Sequence, residues 1–484
     1  MNACTAIAQS RTSRRGFLSG CAACAGCSVL GLAQSTASPP TRARPRVRLV
    51  FAETANDRPI WPNIGYDFDA RRQHLITLLE RECPDVDFRL ARLMDRPEDT
   101  AAVLEQDAEV QGYLICLQGL GWRNDIVKLC ETGKPALVVD NLFGGSGLFL
   151  TRQPAIQALK QPVDWVSSSR DEDIVASARH FARLADGWSA ADVAAAFRRT
   201  RRERTWRGDV GSFAEDRVAL RPIGEALQGL RGNKLLVVGR SHSPALRQAI
   251  AETCGVELVP VEFAELAAAY EAADARAARE FAERWIAGAQ AVVEPTREEI
   301  EKSGRMYDAM RTLIRTHHAS GITINCLGGF YGGHLRAYPC LGFSQLNNDG
   351  LIGGCEADVR SALTMMVFGA ISGRPGYISD PVIDTSQNAI IYAHCVAMTK
   401  PFGREGAANP YRIRSHSEDR KGASIESLLP AGYLTTTIQI HPDQRQMTVH
   451  QAVTMGCSDN DMACRTTLVA RVRGPVVAHL EGVF

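Results

Sequence analysis

The chain has 484 residues, of which 45% are apolar and 23% are charged. That length predicts two to four domains, and that composition excludes a chain that is mainly disordered or a coiled coil. The formal net charge of +1 gives no reason to expect nucleic acid or an anionic surface as a partner. Beyond the N-terminus no run of about twenty apolar residues occurs, so the sequence predicts no transmembrane helix there.

The N-terminus carries an export motif, Ser-Arg-Arg-Gly-Phe-Leu, at residues 13–18. A stretch rich in Cys, Ala and Gly follows this motif, and small residues at 35–37 offer a cleavage site. We interpret residues 1–37 as a twin-arginine signal peptide and expect a periplasmic or other extracytoplasmic location. Disulfides can form in such a compartment, and Cys457 and Cys464 are close enough in sequence to pair across a loop.

Residues 45–205 form the first predicted domain, an α/β unit that ends in a helical linker. Short apolar strands and one amphipathic helix are predicted, the strands at 47–51, 113–117 and 136–140 and the helix at 71–82. Such strands alternating with helices are typical of a buried parallel sheet. The arginine-rich run at 198–204 is typical of a solvated helix that joins domains, and we do not interpret it as a nucleic-acid site.

Residues 206–326 form the second predicted domain, which repeats the α/β pattern. A strand starts at residue 234 and leads into the loop Gly-Arg-Ser-His-Ser at 239–243, to which we assign no function. Further strands are predicted in the same sheet at 256–261, 291–293 and 322–326. A single long helix is predicted at 263–285.

Residues 327–484 form the third predicted domain, which ends in alternating, strand-like segments at 434–440, 446–452 and 466–472. It also contains Glu356, Asp380 and His394, each of which lies near the end of a predicted element. Two carboxylates and a histidine suit Mn, Mg, Fe or Zn better than a thiolate site does. These three residues are the predicted metal ligands.

Each predicted ligand also has a purely structural interpretation. Glu356 could cap the following helix, because acidic residues favour a helix N-terminus. Asp380 could be a turn residue before Pro381, with Asp384 as the nearest rival for its metal role. His394 ends an apolar strand, where a lone histidine is often a hydrogen-bonded core residue.

Four cysteines of this region could suggest a thiolate zinc site instead. Cys326, Cys340, Cys355 and Cys395 are separated by 14, 15 and 40 positions, which match no compact zinc-binding pattern. We therefore interpret them as buried, small apolar residues. A Cys395 nucleophile paired with His394 is disfavoured, because adjacent strand residues point to opposite faces.

Residues 339–395 contain a set of short motifs that together resemble a known family. The motifs are Pro339-Cys340-Leu341, Leu346-Asn347, Gly350, Cys355-Glu356-Ala357-Asp358, Ala362-Leu363-Thr364-Met365, Asp380, Asn388 and His394-Cys395. They resemble the C-terminal domain of the L-fucose/L-arabinose isomerase family, and most closely its shorter branch. The similarity extends over about residues 220–470.

The resemblance implies a fold and an activity. The fold is α/β, with two Rossmann-like parallel-sheet domains followed by a C-terminal mixed α+β domain that is rich in β-strands. The activity is metal-dependent aldose–ketose isomerisation of a sugar, in which Glu356 and Asp380 act in catalysis and, with His394, bind a divalent metal, expected to be Mn²⁺. Candidate substrate-binding residues are His416, Asn388 and Asn325.

The resemblance further implies a homo-oligomer, a trimer or a hexamer. The family also has a metal-binding histidine near its C-terminus, which this sequence does not show at the expected place. Either the sequence is truncated, or His394, His416 or His441 takes that role, or the site is incomplete. The alternative function is therefore an exported sugar-binding or sensor protein that has lost catalysis.

Overall fold

The computed structural model describes residues 43–476. The predicted signal peptide lies outside the described residues. From Arg44 onward the chain forms one compact unit, and its described residues form four sheets. Among the described residues, no helix is long and apolar enough to cross a membrane.

The first sheet contains five parallel strands in the order β2-β1-β3-β4-β5. Its strands are β1 (Arg46–Ala52), β2 (Asp87–Leu93), β3 (Gly112–Leu117), β4 (Ala136–Asp140) and β5 (Val163–Ser167). Its helices are α1 (Phe68–Glu82), α2 (Pro97–Leu104), α3 (Ile126–Cys130), α4 (Ser146–Ala158), α5 (Asp171–Ala178) and α6 (Ala190–Arg204). The two central strands β3 and β4 are buried along their whole length, as expected for a parallel sheet with helices on both faces.

The second sheet contains four parallel strands in the order β10-β9-β6-β7. Its strands are β6 (Lys234–Val238), β7 (Glu257–Val261), β9 (Gly321–Ile324) and β10 (Ile352–Gly354). The surrounding helices are α7 (Ile223–Leu230), α8 (Pro244–Cys254), α9 (Phe263–Glu271), α10 (Ala275–Gly288) and α11 (Arg297–Thr316). Because β10 comes from the third predicted region, the second sheet is completed by residues beyond the predicted boundary at 326.

Two details of the second region differ from the sequence prediction. The single helix predicted at 263–285 is two helices, because Asp274 begins a new helix, its side chain accepting a hydrogen bond from the Arg276 N–H at 2.8 Å. The predicted strand at 291–293 is shortened to β8 (Ala291–Val292), which pairs with a strand of the C-terminal region rather than with the second sheet.

The C-terminal region combines helices with an antiparallel sheet in the order β11-β12-β17-β16-β15. The helices are α12 (Cys326–Tyr331), α13 (Cys340–Asn348) and α14 (Val359–Ser372). The strands of this sheet are β11 (Asp380–Asp384), β12 (Ala389–His394), β15 (Leu434–His441), β16 (Gln446–Cys457) and β17 (Thr466–Val472). The strands β13 (Tyr411–Arg414) and β14 (Ser424–Ser427) form a separate sheet with β8. The predicted fold class, two parallel α/β sheets followed by a strand-rich C-terminal region, is therefore confirmed.

The first sheet holds the end of β11 in place through Ser167, the last residue of β5. The Ser167 hydroxyl donates to the main-chain oxygen of Ile383 at 2.7 Å, and the main-chain oxygen of Ser167 accepts the Thr385 N–H at 3.0 Å. Strand β11 begins at Asp380. These contacts therefore fix the direction of the strand that carries one predicted metal ligand.

Candidate metal centre

The structure brings Glu356, Asp380 and His394 together. One ligand atom from each, a carboxylate oxygen or an imidazole nitrogen, lies within 4.8 Å of the other two. Glu356 follows β10, Asp380 is the first residue of β11, and His394 is the last residue of β12. Three separate elements therefore converge at one point, and each supplies one side chain.

The segment that carries Glu356 is a tight connection between β10 and α14. Glu356 and Ala357 both have left-handed backbone conformations, with φ of 61° and 52°, which are uncommon for residues other than glycine. The Ala357 N–H donates to the main-chain oxygen of Ile324 at 2.9 Å, which holds the connection against β9. This conformation leaves the Glu356 side chain 40% exposed at the mouth of the centre.

The helix-capping role considered for Glu356 belongs to Asp358. The Asp358 side chain accepts hydrogen bonds from the N–H groups of Arg360 and Ser361, each at 3.1 Å, and so caps α14. Capping satisfies N–H groups that have no partner inside the helix. The Glu356 carboxylate is therefore not used in holding the helix.

Strand pairing places the other two ligands. Asp380 lies opposite Ala393 in the antiparallel pair β11–β12, so the next residue, His394, lies beside it. His394 in turn lies opposite Thr466 of β17. The imidazole is 3% exposed, its Nδ1 accepts the Cys395 N–H at 3.0 Å, and its Nε2 is 3.9 Å from Oε1 of Glu356. The ring is thus held from behind and presents Nε2 to the carboxylates.

The charges of the three groups influence one another strongly. Although 40% of the Glu356 side chain is exposed, desolvation by the surrounding protein and the neighbouring Asp380 raise its pKa to about 7, and His394 opposes this shift. Burial also raises the pKa of Asp380. Burial alone would lower the pKa of His394, but Cys395 and the two carboxylates outweigh it and raise this pKa to about 10. Crowded carboxylates beside an imidazole are the arrangement that a bound cation relieves.

The donor set fits a divalent cation. Carboxylate oxygens and an imidazole nitrogen are the ligands that Mn²⁺, Mg²⁺, Fe²⁺ and Zn²⁺ use in proteins. The three side chains leave coordination positions for substrate oxygens, because three protein ligands do not complete the coordination of such a cation. Glu356, Asp380 and His394 could therefore hold a catalytic metal.

A second layer of polar side chains, which the sequence analysis largely missed, lies around the centre. Burial raises the pKa of Glu418, and Glu356 adds to this effect. The Tyr331 hydroxyl donates to Oε2 of Glu418 at 2.9 Å, and Nδ1 of His416 lies 3.0 Å from Oδ1 of Asp419. His416 was predicted from the sequence. Glu418 and Asp419, two and three positions after it, are the signal from which the rest of this layer could have been predicted.

The two predicted substrate-binding asparagines make hydrogen bonds to the main chain. Asn325 caps α12 through the Gly328 N–H at 3.3 Å and donates to the main-chain oxygen of Gly239 at 3.1 Å. Asn388 is 4% exposed and bonds to three main-chain groups, one in the last residue of β17 and two beyond it. Their substrate-binding role stays a prediction.

A cavity of about 430 Å³ lies between α14 and the antiparallel sheet. Ser379 and Pro381, the neighbours of Asp380, line one side of it, and Tyr392 and His450 line another. Its lining does not include the three predicted metal ligands. We therefore treat the cavity as separate from the metal centre.

Five buried cysteines lie directly behind the metal centre. They are Cys326, Cys340, Cys355, Cys395 and Cys464, all free and between 1% and 4% exposed. Their burial agrees with the sequence interpretation, but their proximity does not follow from their spacing along the chain. Cys457 and Cys464, which were considered as a disulfide pair, are both free thiols.

No family model matches the chain. Parts of the chain are, however, similar to curated proteins named sulfoquinovose isomerase. The protein from Alkalicoccus urumqiensis is 28% identical over 138 residues, which cover 28% of this chain and 30% of that relative. The protein from Clostridium sp. (strain MSTE9) is 27% identical over 214 residues, or 42% of this chain and 46% of the relative. The protein from Priestia aryabhattai is 26% identical over 143 residues, or 28% and 31%.

The matched stretches span less than half of the length of these relatives. The relatives are sugar isomerases by name, which agrees with the sugar-isomerase resemblance of residues 339–395. The chain is therefore related over part of its length to sugar isomerases, and it carries a carboxylate–histidine centre that suits a divalent cation.

Proposed function

We propose that this protein is a metal-dependent aldose–ketose isomerase that acts on a sugar of five or six carbons. The observation that carries the proposal is the convergence of Glu356, Asp380 and His394 within 4.8 Å. The partial similarity to proteins named sulfoquinovose isomerase supports the same reaction class and adds sulfo-sugars to the substrates worth testing.

Conversion of an aldose to a ketose moves one hydrogen from C2 to C1 and one hydroxyl proton from O2 to O1. In the proposal, the Glu356 carboxylate removes the C2 proton to give an enediol, and the proton is then delivered to C1. Asp380, on the other side of the sugar diol, exchanges the hydroxyl protons. Glu356 is accessible for the first role because its side chain is 40% exposed.

Glu356, Asp380 and His394 would hold the metal, which we propose to be Mn²⁺. When bound, a divalent cation stabilises the negative charge that develops on the sugar oxygens during enediol formation. The Cys395 N–H fixes the His394 ring at 3.0 Å. Tyr331 and Glu418 support the centre from the side of the 415–419 segment.

Deuterium exchange tests this proposal most directly. The protein is loaded with Mn²⁺ and incubated in D₂O with a panel of aldoses, ketoses and sulfo-sugars, and deuterium at C1 and C2 is followed by NMR. We expect exchange with at least one sugar. In E356Q the exchange rate should be at least about 100-fold lower, because a positioned general base contributes a rate factor of about that size or more. D380N should show a comparable loss.

The matched control is E405Q, since the Glu405 side chain is 95% exposed and lies outside the centre. It should exchange at the wild-type rate. Exchange that persists in E356Q would remove Glu356 from the mechanism. A folded, Mn²⁺-loaded protein that binds a sugar without any exchange would overturn the isomerase proposal in favour of the sugar-binding alternative.

We also propose that the protein is exported and assembles as a homo-oligomer, as the family resemblance implies. Expression with the N-terminal arginine pair replaced by lysines should keep the protein inside the cell. Light scattering on the mature protein should give the mass of a trimer or a hexamer, and a monomeric mass would contradict the assembly.

A further inference from the structure

The five buried cysteines, here named the thiol cluster, are brought together by the ends of five different elements. Cys326 and Cys340 begin α12 and α13, Cys355 follows β10, Cys395 follows β12, and Cys464 precedes β17. The Sγ atoms of Cys326 and Cys355 are 3.0 Å apart, and those of Cys340 and Cys395 are 3.6 Å apart. A concentration of thiols at one point is a chemical feature that the isomerase reaction does not use.

The thiol cluster adjoins the metal centre because two of its members are sequence neighbours of the ligands. Cys355 precedes Glu356, and Cys395 follows His394. The Sγ atoms of Cys355 and Cys395 and a nitrogen of His394 lie within 4.8 Å of one another. His394 therefore has carboxylates on its Nε2 side, while its Nδ1 lies 3.7 Å from Sγ of Cys395.

We propose that Cys355, Cys395 and His394 form a second cation site, selective for a soft or borderline divalent cation such as Zn²⁺ or Cd²⁺, with a water molecule as the fourth ligand. Thiolates prefer such cations, whereas carboxylates prefer Mn²⁺ and Mg²⁺. The two neighbouring sites thus differ in the kind of metal that each selects.

The distances agree with a tetrahedral site. Zinc lies about 2.3 Å from sulfur and about 2.0 Å from nitrogen, so neighbouring ligand atoms of a tetrahedron are separated by about 3.5 to 3.8 Å. The 3.7 Å between Cys395 Sγ and His394 Nδ1 lies in this range, and the Cys355 sulfur lies within 4.8 Å of both groups. Binding converts the two thiols to thiolates and releases their two protons to solvent.

The two sites share His394 and therefore compete. A neutral imidazole has one nitrogen lone pair available for a metal. A soft cation that takes His394 on the thiol side withdraws it from Glu356 and Asp380. The structure thus leads us to expect that a soft cation displaces Mn²⁺ from the carboxylate centre.

Cadmium titration of the reduced, full-length mature protein tests the site without any activity measurement. Bound Cd²⁺ should give thiolate-to-metal charge-transfer absorption, and X-ray absorption on the unmodified protein should count two sulfur ligands and one nitrogen. Mn²⁺ released in the same titration should appear as the free-ion signal in electron paramagnetic resonance. An oxygen-only shell around Cd²⁺, or full retention of Mn²⁺, would overturn the proposal.

Variants separate this proposal from the proposed function. C395S and C355A should each weaken Cd²⁺ binding by at least about 100-fold, because each removes one of three protein ligands. D380N should lose Mn²⁺ but keep the charge-transfer band, so the thiol site can be present even if the isomerase proposal fails. C254S removes a buried thiol of α8 outside the cluster and should bind Cd²⁺ like the wild type. If folded C395S and C355A both keep the full charge-transfer band of bound Cd²⁺, the assignment of Cys355 and Cys395 as ligands is wrong.

Discussion

Asp140 shows how strongly burial changes the protonation of a single side chain in this fold. It ends β4 and is 2% exposed, and the hydroxyls of Ser146 and Ser167 lie 3.0 and 2.8 Å from its carboxylate oxygens. Burial, together with nearby Asp384, outweighs these hydrogen bonds and raises the pKa of Asp140 to about 7. The native protein therefore keeps a proton that the unfolded chain releases near pH 4.

The first prediction concerns D140N and pH. Between about pH 4 and pH 7 the native state binds more protons than the unfolded state, so this carboxyl makes the wild type less stable as the pH rises. D140N lacks the titrating group, so its free energy of unfolding relative to the wild type should rise by up to about 4 kcal/mol across this window. Denaturant unfolding at several pH values measures the difference. A difference that is independent of pH would contradict the assignment.

Asn388 fixes the turn between β11 and β12, at the opposite end of the hairpin from Asp380 and His394. Its backbone is left-handed, with φ of 52°. Its Nδ2 donates to the main-chain oxygens of Val472 and Gly474 at 3.0 and 2.8 Å, and its Oδ1 accepts the Val476 N–H at 2.7 Å. All of these contacts are structural.

The second prediction is that N388A lowers the free energy of unfolding by about 2 to 4 kcal/mol, because it leaves buried main-chain groups without partners. The KM for sugar should change little in the folded variant. Thermal unfolding and steady-state kinetics measure the two effects. If Asn388 instead binds substrate, as the family resemblance implies, the variant should keep most of its stability and show a raised KM.

Some of the metal centre was predictable at the level of residues. Glu356, Asp380 and His394 stood out because each belongs to a residue type that commonly binds metals and lies at the end of an apolar segment. Glu418 did not stand out, because nothing in the sequence reports that the 415–419 segment returns to β12. The thiol cluster was missed for the same reason, since spacing along the chain does not measure distance between strands and helices.

At the scale of elements, the packing of β10 against α13 determines where Glu356 lies. A Cβ atom on Gly353 would lie 2.6 Å from Cα and 2.7 Å from the main-chain oxygen of Phe343, so only glycine allows this contact. Gly369, in the half-buried C-terminal part of α14, offers the contrast. A Cβ there would meet only the main-chain oxygen of Arg374, at 3.6 Å, which is an ordinary contact distance.

The third prediction compares G353A with G369A. G353A should lower the free energy of unfolding by about 1 to 3 kcal/mol, because main-chain atoms must move apart, and it should weaken Mn²⁺ binding by displacing Glu356. G369A should be neutral or stabilising by up to about 1 kcal/mol, because alanine is the better helix former. Chemical unfolding and Mn²⁺ titration by electron paramagnetic resonance measure both effects. Equal stability of the two variants would contradict the packing argument.

Most strands were predictable as elements, whereas two features of the second region were not. Strands such as β4 are short, continuous apolar runs, and their burial on both faces produces this pattern. The break between α9 and α10 depends on the hydrogen bond that Asp274 makes to Arg276, within a helix-favouring Ala and Glu sequence. Strand β8 is two residues long and pairs with β13, a partner more than a hundred positions away.

At the scale of the whole molecule, the C-terminal sheet shares one apolar cluster with the second sheet and another with the first sheet. The largest cluster of buried apolar residues includes Trp61 and Phe143 from the first region, Leu235 from the second sheet, and Ile391 and Val469 from the C-terminal sheet. Because these regions bury surface against one another, each is expected to lose stability when another unfolds. The regions should therefore unfold together in a single transition.

The last prediction follows from these shared apolar clusters. In the proposed function Mn²⁺ binds only the native centre, so at about 100 times its dissociation constant it should raise the free energy of unfolding by about 2.7 kcal/mol. The added stability should also protect the first sheet, which contains no proposed metal ligand, because the first sheet is expected to unfold together with the C-terminal sheet. Hydrogen exchange of the β3 amides with and without Mn²⁺ measures this, alongside calorimetry. D380N should abolish both the gain in stability and the slower exchange of the β3 amides, whereas E405Q should abolish neither. If Mn²⁺ slows hydrogen exchange only in β11 and β12, the regions unfold independently.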